Sequence, residues 1–206
     1  MAEAILEMPP TVTEIKLRFT PLFTFTGEQF FEFCQLNRGL QIERTRSGDI
    51  VIMAPTGGAT GNRNASLNAQ LYLWAREDGT GRVFDSSTGF TLPNGAERAP
   101  DASWVLRTRL ARLTAEEKQR FLPLCPDFVI ELRSPTDKLP KLQDKMAEYR
   151  ENGAQLGWLI DPLERRVHIY RPDVPIEIVN NPATISGDPE LHGFALDLRE
   201  IWTPDI

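Results

Sequence analysis

Apolar residues recur at helical spacing in a few stretches and at strand spacing through most of the rest. Thr26 is a cap-type residue, and Gln29-Phe30-Phe31-Glu32-Phe33-Cys34 continues from it as a short amphipathic helix. A Pro/Gly/Thr-rich loop over 54–61 follows. Asn64, Leu67, Leu71 and Trp74 then share one helical face, and Asp78-Gly79 stops the run, which predicts a helix from Asn62. Thr114 and Glu117 are spaced as a capping box that opens a short helix. A last helix is predicted over about 138–151, where Leu139, Leu142, Met146 and Tyr149 form the apolar stripe and Asn152-Gly153 ends it.

Strand patterns fill the intervals. Glu14-Ile15-Lys16-Leu17-Arg18-Phe19 alternates as one exposed strand in a loose arm, residues 1–25. Leu40 to Arg44 and Asp49 to Met53 read as a hairpin turned at Ser47-Gly48. Further strands are predicted at 82–84, 89–92, 100–105, 127–132, 157–162, 166–170 and 176–179. The order predicts one mixed α/β domain over 26–206, a sheet flanked by helices.

Composition narrows the setting. A hydrophobic share of 41% with 25% charged residues is that of an ordinary globular chain. No apolar run is long enough for a membrane span, and the first ten residues lack a signal-peptide pattern. Cys34 and Cys125 are far apart and form no CxxC, so neither a disulfide framework nor a zinc knuckle is expected. A reducing, cytoplasmic setting is the expectation. The net charge of −6 argues against broad non-specific binding to nucleic acid. It is compatible with a carboxylate cluster that holds a cation.

Candidate chemistry centres on Glu131, a carboxylate inside the apolar run Phe128-Val129-Ile130-Glu131-Leu132. A charge there is costly unless it is paired or bound to metal. Asp101 stands at the start of another strand, after Pro100. Two carboxylates on neighbouring strands can share one divalent cation that neutralises charge on a phosphate. No lysine lies two residues after Glu131, where Arg133 stands, but the next helix offers Lys138, Lys141 and Lys145. Lys138 and Lys145 flank the apolar stripe beside Tyr149, whereas Lys141 points further towards solvent, so Lys145 is the residue that can approach the sheet. The residues alone leave a plainer reading open: a salt-bridged strand glutamate, an aspartate starting a loop and a solvated row of lysines. His168, in a strand, and His192, in a loop, are read as non-ligands, and Asp161 before Pro162 as a turn former. Gly57, Gly58 and Gly61 do not fit a phosphate loop and are expected to form a mobile loop beside the site.

The run Pro100-Asp101-Ala102-Ser103-Trp104-Val105, then Pro126 to Pro135 around Glu131, then Lys145-Met146-Ala147-Glu148-Tyr149, Asn152-Gly153 and Trp158-Leu159-Ile160-Asp161-Pro162 closely resembles the Uma-two family. These are restriction-endonuclease-like proteins of the PD-(D/E)XK superfamily, and the resemblance covers roughly residues 25–202. It implies an α/β (mixed α+β) restriction-endonuclease-like fold, a central mixed sheet flanked by helices with an N-terminal β-hairpin extension. It implies a hydrolase acting on DNA with Mg2+ or Mn2+. Asp101 and Glu131 match the metal-binding acids, and the backbone carbonyl of Leu132 would be a further ligand. Lys145 matches a catalytic lysine that has moved from the strand to the next helix. A family histidine is replaced by Asn64, which cannot take up a proton. Glu43, Gly48 and Asp49 match a glutamate–glycine–acid hairpin with one extra residue, so Glu43 and Asp49 are auxiliary candidates. Cutting both strands would be easiest for a homodimer. The alternative to an endonuclease is an inactive nuclease fold that serves as a DNA-binding or protein-interaction module. A two-carboxylate glycosidase is poorly supported, because Trp74, Trp104, Trp158 and Trp202 sit at core-like positions rather than in a sugar cleft.

Overall fold

The computed structural model describes residues 14–206. In chain order, β1 (Glu14–Leu17) and α1 (Gly27–Leu36) precede the hairpin of β2 (Gln41–Arg44) and β3 (Ile50–Met53) and the long helix α2 (Gly58–Asp78). Then come β4 (Gly81–Asp85), β5 (Phe90–Thr91), β6 (Glu97–Arg98), β7 (Ala102–Leu106) and the single turn α3 (Arg107–Leu110). A 3-10 turn at Glu117–Gln119 leads to β8 (Phe128–Leu132), α4 (Leu139–Glu151), β9 (Leu156–Asp161), β10 (Arg166–Tyr170) and β11 (Glu177–Asn180). The chain finishes with β12 (Thr184–Ser186), β13 (Ala195–Asp197) and the turn α5 (Arg199–Trp202).

A six-stranded mixed sheet runs β11-β10-β9-β8-β7-β4, with β8 and β9 parallel and the other pairs antiparallel. Its centre is β8, buried along its whole length. Period-two alternation sends Phe128, Ile130 and Leu132 into a core with Leu67, Leu71 and Ala75 of α2. Val129 goes the other way, into a core with Met146 and Tyr149 of α4. Glu131 shares the parity of Val129, so its carboxylate faces α4. The close seat of α4 depends on Gly157 of β9, where a Cβ would come within 2.5 Å of the Met146 methyl.

The hairpin differs from the expected extension. It is the middle of a second sheet of five strands, ordered β1-β3-β2-β6-β5. The two-residue strand β6 joins that sheet to the first, because only three residues separate Arg98 from the start of β7. The strand predicted at 89–92 appears as β5, but the two-residue β6 has no periodicity to read, so the link that gathers these strands into a second sheet is invisible in the sequence pattern. Among the segments read as loop, 58–61 is instead the first turn of α2. Its N-cap Gly57 supplies no side-chain cap, and Thr60 is buried. Thr60, with Leu67, Leu71 and Ala75 further along, anchors the helix against the roughly 1 kcal/mol that each helical glycine costs. Gly79, at φ 72°, closes the helix in the left-handed conformation. Thr26 and Gln29 form a reciprocal capping box at α1, as do Thr114 and Glu117 before the 3-10 turn. The second box is followed by a single turn, shorter than the helix expected there.

Candidate active site at the seam of two sheets

The site lies where β6 passes into β7. Ala102 pairs with Ile130, so Asp101, one residue before β7, falls across from Glu131. The Asp101 carboxylate accepts the Leu132 N–H at 2.7 Å and the Asn64 side-chain amide at 3.0 Å. Asn68, one turn further along α2, donates to the Asp101 backbone carbonyl at 2.9 Å. Both oxygens of this carboxylate are therefore fixed by α2 and β8. Because an extended residue directs its N–H and C=O to the same edge of the strand, the Leu132 carbonyl also faces the β7 side, near Asp101.

The second half comes from α4 and the five-stranded sheet. Lys145, Glu148 and Tyr149 are spaced i, i+3, i+4 and share one face of α4. Lys145 Nζ lies 2.8 Å from Glu43 Oε1 on β2 and 2.9 Å from Glu131 Oε1. The Tyr149 hydroxyl donates to Glu131 Oε1 at 3.0 Å. Arg98 of β6 bridges Glu43 at 3.0 Å and Glu148 at 2.6 Å. Glu43 further accepts the Ala99 N–H at 3.0 Å, and Glu148 accepts the Asn94 amide at 3.0 Å. Each acid at this seam thus has fixed partners drawn from different elements.

The balance of charge is uneven. Glu43, although pushed upward by burial, is held below its ordinary range by Lys145, Arg98 and the Ala99 N–H. Burial raises the Asp101 carboxyl, with the Leu132 N–H, Lys145 and Asn64 pulling the other way. Burial likewise lifts Glu131 to about 7, since the pull of Lys145 is offset by the nearby Asp101 and Glu43 charges. Lys145 is desolvated too, but its two carboxylate neighbours outweigh that and hold it above its ordinary value. Arg98 stabilises Glu43 and leaves Glu131 as the under-compensated acid. A site with surplus negative charge and a firmly protonated lysine can accept a further cation and can donate to a phosphate oxygen.

The residues that could hold a divalent ion are Asp101, Glu131 and the Leu132 carbonyl, an all-oxygen set suited to Mg2+ or Mn2+. Beside them Asn64 Oδ1 is buried with no donor among the described residues, an orphan acceptor that a metal-associated water would satisfy. Among the described residues, no three His, Cys, Asp or Glu side chains already form a metal cage. The ammonium of Lys145 instead stands between Glu43 and Glu131.

Of the other candidates, Asp49 is not brought to the site. It pairs with Lys16 at 2.7 Å and with Ser47 in the hairpin turn, because the turn lies beyond the end of β2 from which Glu43 projects. Arg133 pairs with Asp161 at 2.7 Å, and Asp161 also receives the Leu163 N–H, so that aspartate has a structural role besides its turn. Lys141 is exposed and pairs with Glu14. Lys138, exposed, is the N-cap of α4 rather than a flank residue. His168 is buried and His192 is exposed against Asp188. Arg98, Glu148, Tyr149 and Asn68 join the site without a sequence signal of their own: Tyr149 reads as core, and its hydroxyl role shows only in three dimensions. No helix among the described residues is long and apolar enough to cross a membrane.

No curated protein matches the chain. Solved structures that match include a protein from Anabaena variabilis ATCC 29413 described as "a putative nuclease belonging to DUF820". The two are 20% identical and superpose with a TM-score of 0.69 over 86% of this chain and 97% of the other, a likeness that shows the fold. A family model described as "Putative restriction endonuclease" matches residues 28–199. With that match spanning most of its length, the chain belongs to the Uma2 family and has its restriction-endonuclease-like fold.

Proposed function

We propose that the protein is a metal-dependent endonuclease that hydrolyses DNA phosphodiester bonds. The observation that carries this reading is the arrangement at the seam: Lys145 gripped by Glu43 and Glu131, with Asp101 fixed across the ladder from Glu131. Mg2+ or Mn2+, held by Asp101, Glu131 and the Leu132 carbonyl, would supply Lewis-acid activation of water and charge neutralisation at the phosphate. Each residue of the chain then has a defined task. Asn64 and the Leu132 N–H orient Asp101. Tyr149 orients Glu131. Lys145, held protonated by its two carboxylates, donates hydrogen bonds to the phosphate oxygens as charge develops on them, rather than taking a proton from water. Glu43 and Arg98 keep that ammonium in place.

Supercoiled plasmid incubated with Mg2+, Mn2+ or EDTA tests this. The expected result is nicking with either metal and none with EDTA or with Asp101→Asn. Cutting in EDTA, or by Asp101→Asn at the wild-type rate, contradicts the proposal. DNA binding without cleavage in any metal would point instead to an inactive DNA-binding module. Linear product formed at the first event would indicate two copies acting together, since one centre cuts one strand.

A further inference from the structure

A cleft of about 510 Å³ opens beside the site, between α2 and the turn that follows β4. Three residues of α2 at i, i+4 and i+8 connect the two. Asn64 holds the Asp101 carboxylate, Asn68 holds the Asp101 carbonyl and lines the cleft, and Tyr72 forms its outer wall. From Asn64 to Tyr72 the helix rises about 12 Å, so the cleft lies on the α2 face of the sheet, at the same strand end as Asp101 and across the sheet from Glu131 and Lys145. Tyr72 is 57% exposed and packs against no other aromatic ring among the described residues. The opposite wall carries Asp85, Ser87 and Thr88. Asp85 lies across from Ala102 in the β4–β7 ladder, one residue from Asp101. Its Oδ1 accepts from the Ser87 N–H and hydroxyl, and its Oδ2 makes no hydrogen bond among the described residues.

An exposed aromatic face opposite a free carboxylate oxygen and a hydroxyl has a definite chemical preference. The carboxylate disfavours a phosphate in direct contact with its free oxygen. A nucleobase is neutral, has a π face for Tyr72, and carries the N–H donors that Asp85 can accept. The groove is shallow and open to solvent, so a base would lie against Tyr72 on its surface rather than be enclosed. A base stacked inside a duplex cannot reach it, whereas an unpaired base can.

We infer that this cleft seats an unpaired base of a nucleotide flanking the scissile phosphate, stacked on Tyr72 and held through its N–H edge by Asp85. The inference rests on the nuclease reading and specifies its substrate as single-stranded or locally opened DNA. Binding of labelled single-stranded oligonucleotides, measured by fluorescence anisotropy in EDTA, tests it independently of cleavage. Tyr72→Ala should weaken binding roughly five- to a hundredfold. Tyr72→Phe should bind as the wild type does, and a perfect duplex should be insensitive to both. A single abasic nucleotide at one position should reproduce the Tyr72→Ala loss, and adding it to Tyr72→Ala should cost nothing more. Equal binding of single strands by wild type and Tyr72→Ala overturns the inference, as does indifference to an abasic nucleotide at every position. Tighter binding of a free deoxynucleoside monophosphate than of the oligonucleotide also overturns it, because the cleft would then be a mononucleotide site. Plasmid cleavage by the same preparations separates the two failures: cutting that persists while Tyr72→Ala binds normally leaves the nuclease reading standing without this cleft.

Discussion

Strands β2 and β6 place two buried ion pairs side by side, made of the same residue types on opposite faces. Glu43 meets Arg98 on the face towards α4, and Arg44 meets Glu97, at 2.7 Å, on the face towards Phe30. The Phe30-side pair recruits no further charged side chain among the described residues. Arg44 lies 2.7 Å from Glu97, donates to the Phe25 and Gly95 carbonyls and sits 5.3 Å from the Phe30 ring, while Arg44 Nε and both Glu97 carboxylate oxygens are buried without an aligned hydrogen bond. Burial lifts Glu97 to about 7 against the pull of Arg44. The α4-side pair is open, because Glu43 also grips Lys145 and through it meets Glu131 and Asp101. A buried salt bridge therefore says little about function. Surplus like charge converging on a fixed cation does.

The largest contrast should appear in stability. Arg44→Ala leaves Glu97 and two carbonyls without their cation and should cost about 3–5 kcal/mol in urea unfolding. Cleavage per folded molecule should be unchanged. Glu97→Gln should cost less, since that carboxyl is only about half ionised at pH 7. A large loss of cleavage in folded Arg44→Ala would erase the distinction between the two faces.

Next in size is Lys145→Ala. Loss of its charge at the phosphate should slow plasmid nicking about 10²–10³-fold. The metal-induced rise in melting temperature should persist and grow, because Glu43 and Glu131 then face each other without an ammonium. Arg133→Ala, which breaks only the pair with Asp161, should cut normally. Should Arg133 prove essential and Lys145 dispensable, the role assigned to the helix lysine is wrong.

A smaller effect separates the faces by pH. The folded-state value of Glu131 is raised, from 4.5 to about 7, so its contribution favours the native state at low pH. That advantage is lost as pH rises through about 7, by at most about 3 kcal/mol. Glu131→Gln should therefore flatten the decline in metal-free melting temperature between pH 5 and pH 8. A wild type whose melting temperature rises steadily over that interval, with Glu131→Gln following it, would show that Glu131 is fully compensated. The smallest effect belongs to Lys141→Ala. It removes an exposed pair with Glu14 and should change stability by less than about 1 kcal/mol, with cleavage unaltered.

The legible parts of the molecule are those with long periods or a conflict between burial and charge. The β8 run shows its strand and its anomaly in five residues, and the α4 stripe places Lys145 on the flank that meets the sheet. Asp101 is readable as a candidate because it starts a patterned segment, whereas Asn64 is a candidate only through the resemblance to the family. What is not legible is long-range: Arg98 sits in a two-residue strand, and its partner Glu148 is 50 residues away. The hairpin pattern makes Glu43 and Asp49 equivalent candidates. Only the register separates them, sending Glu43 to the seam and leaving Asp49 in the turn with Lys16. The cleft beside Tyr72 is likewise a product of two elements meeting and has no motif.

The proposed metal site requires that the seam, where negative charge is under-compensated, take a divalent cation through Asp101 and Glu131. Calorimetric titration of Mn2+ at pH 8 into wild type, Asp101→Asn and Glu97→Gln tests it most directly. Saturable binding by wild type and by Glu97→Gln is expected, with its loss in Asp101→Asn. Binding that is absent in the wild type, or that survives Asp101→Asn undiminished, would contradict it.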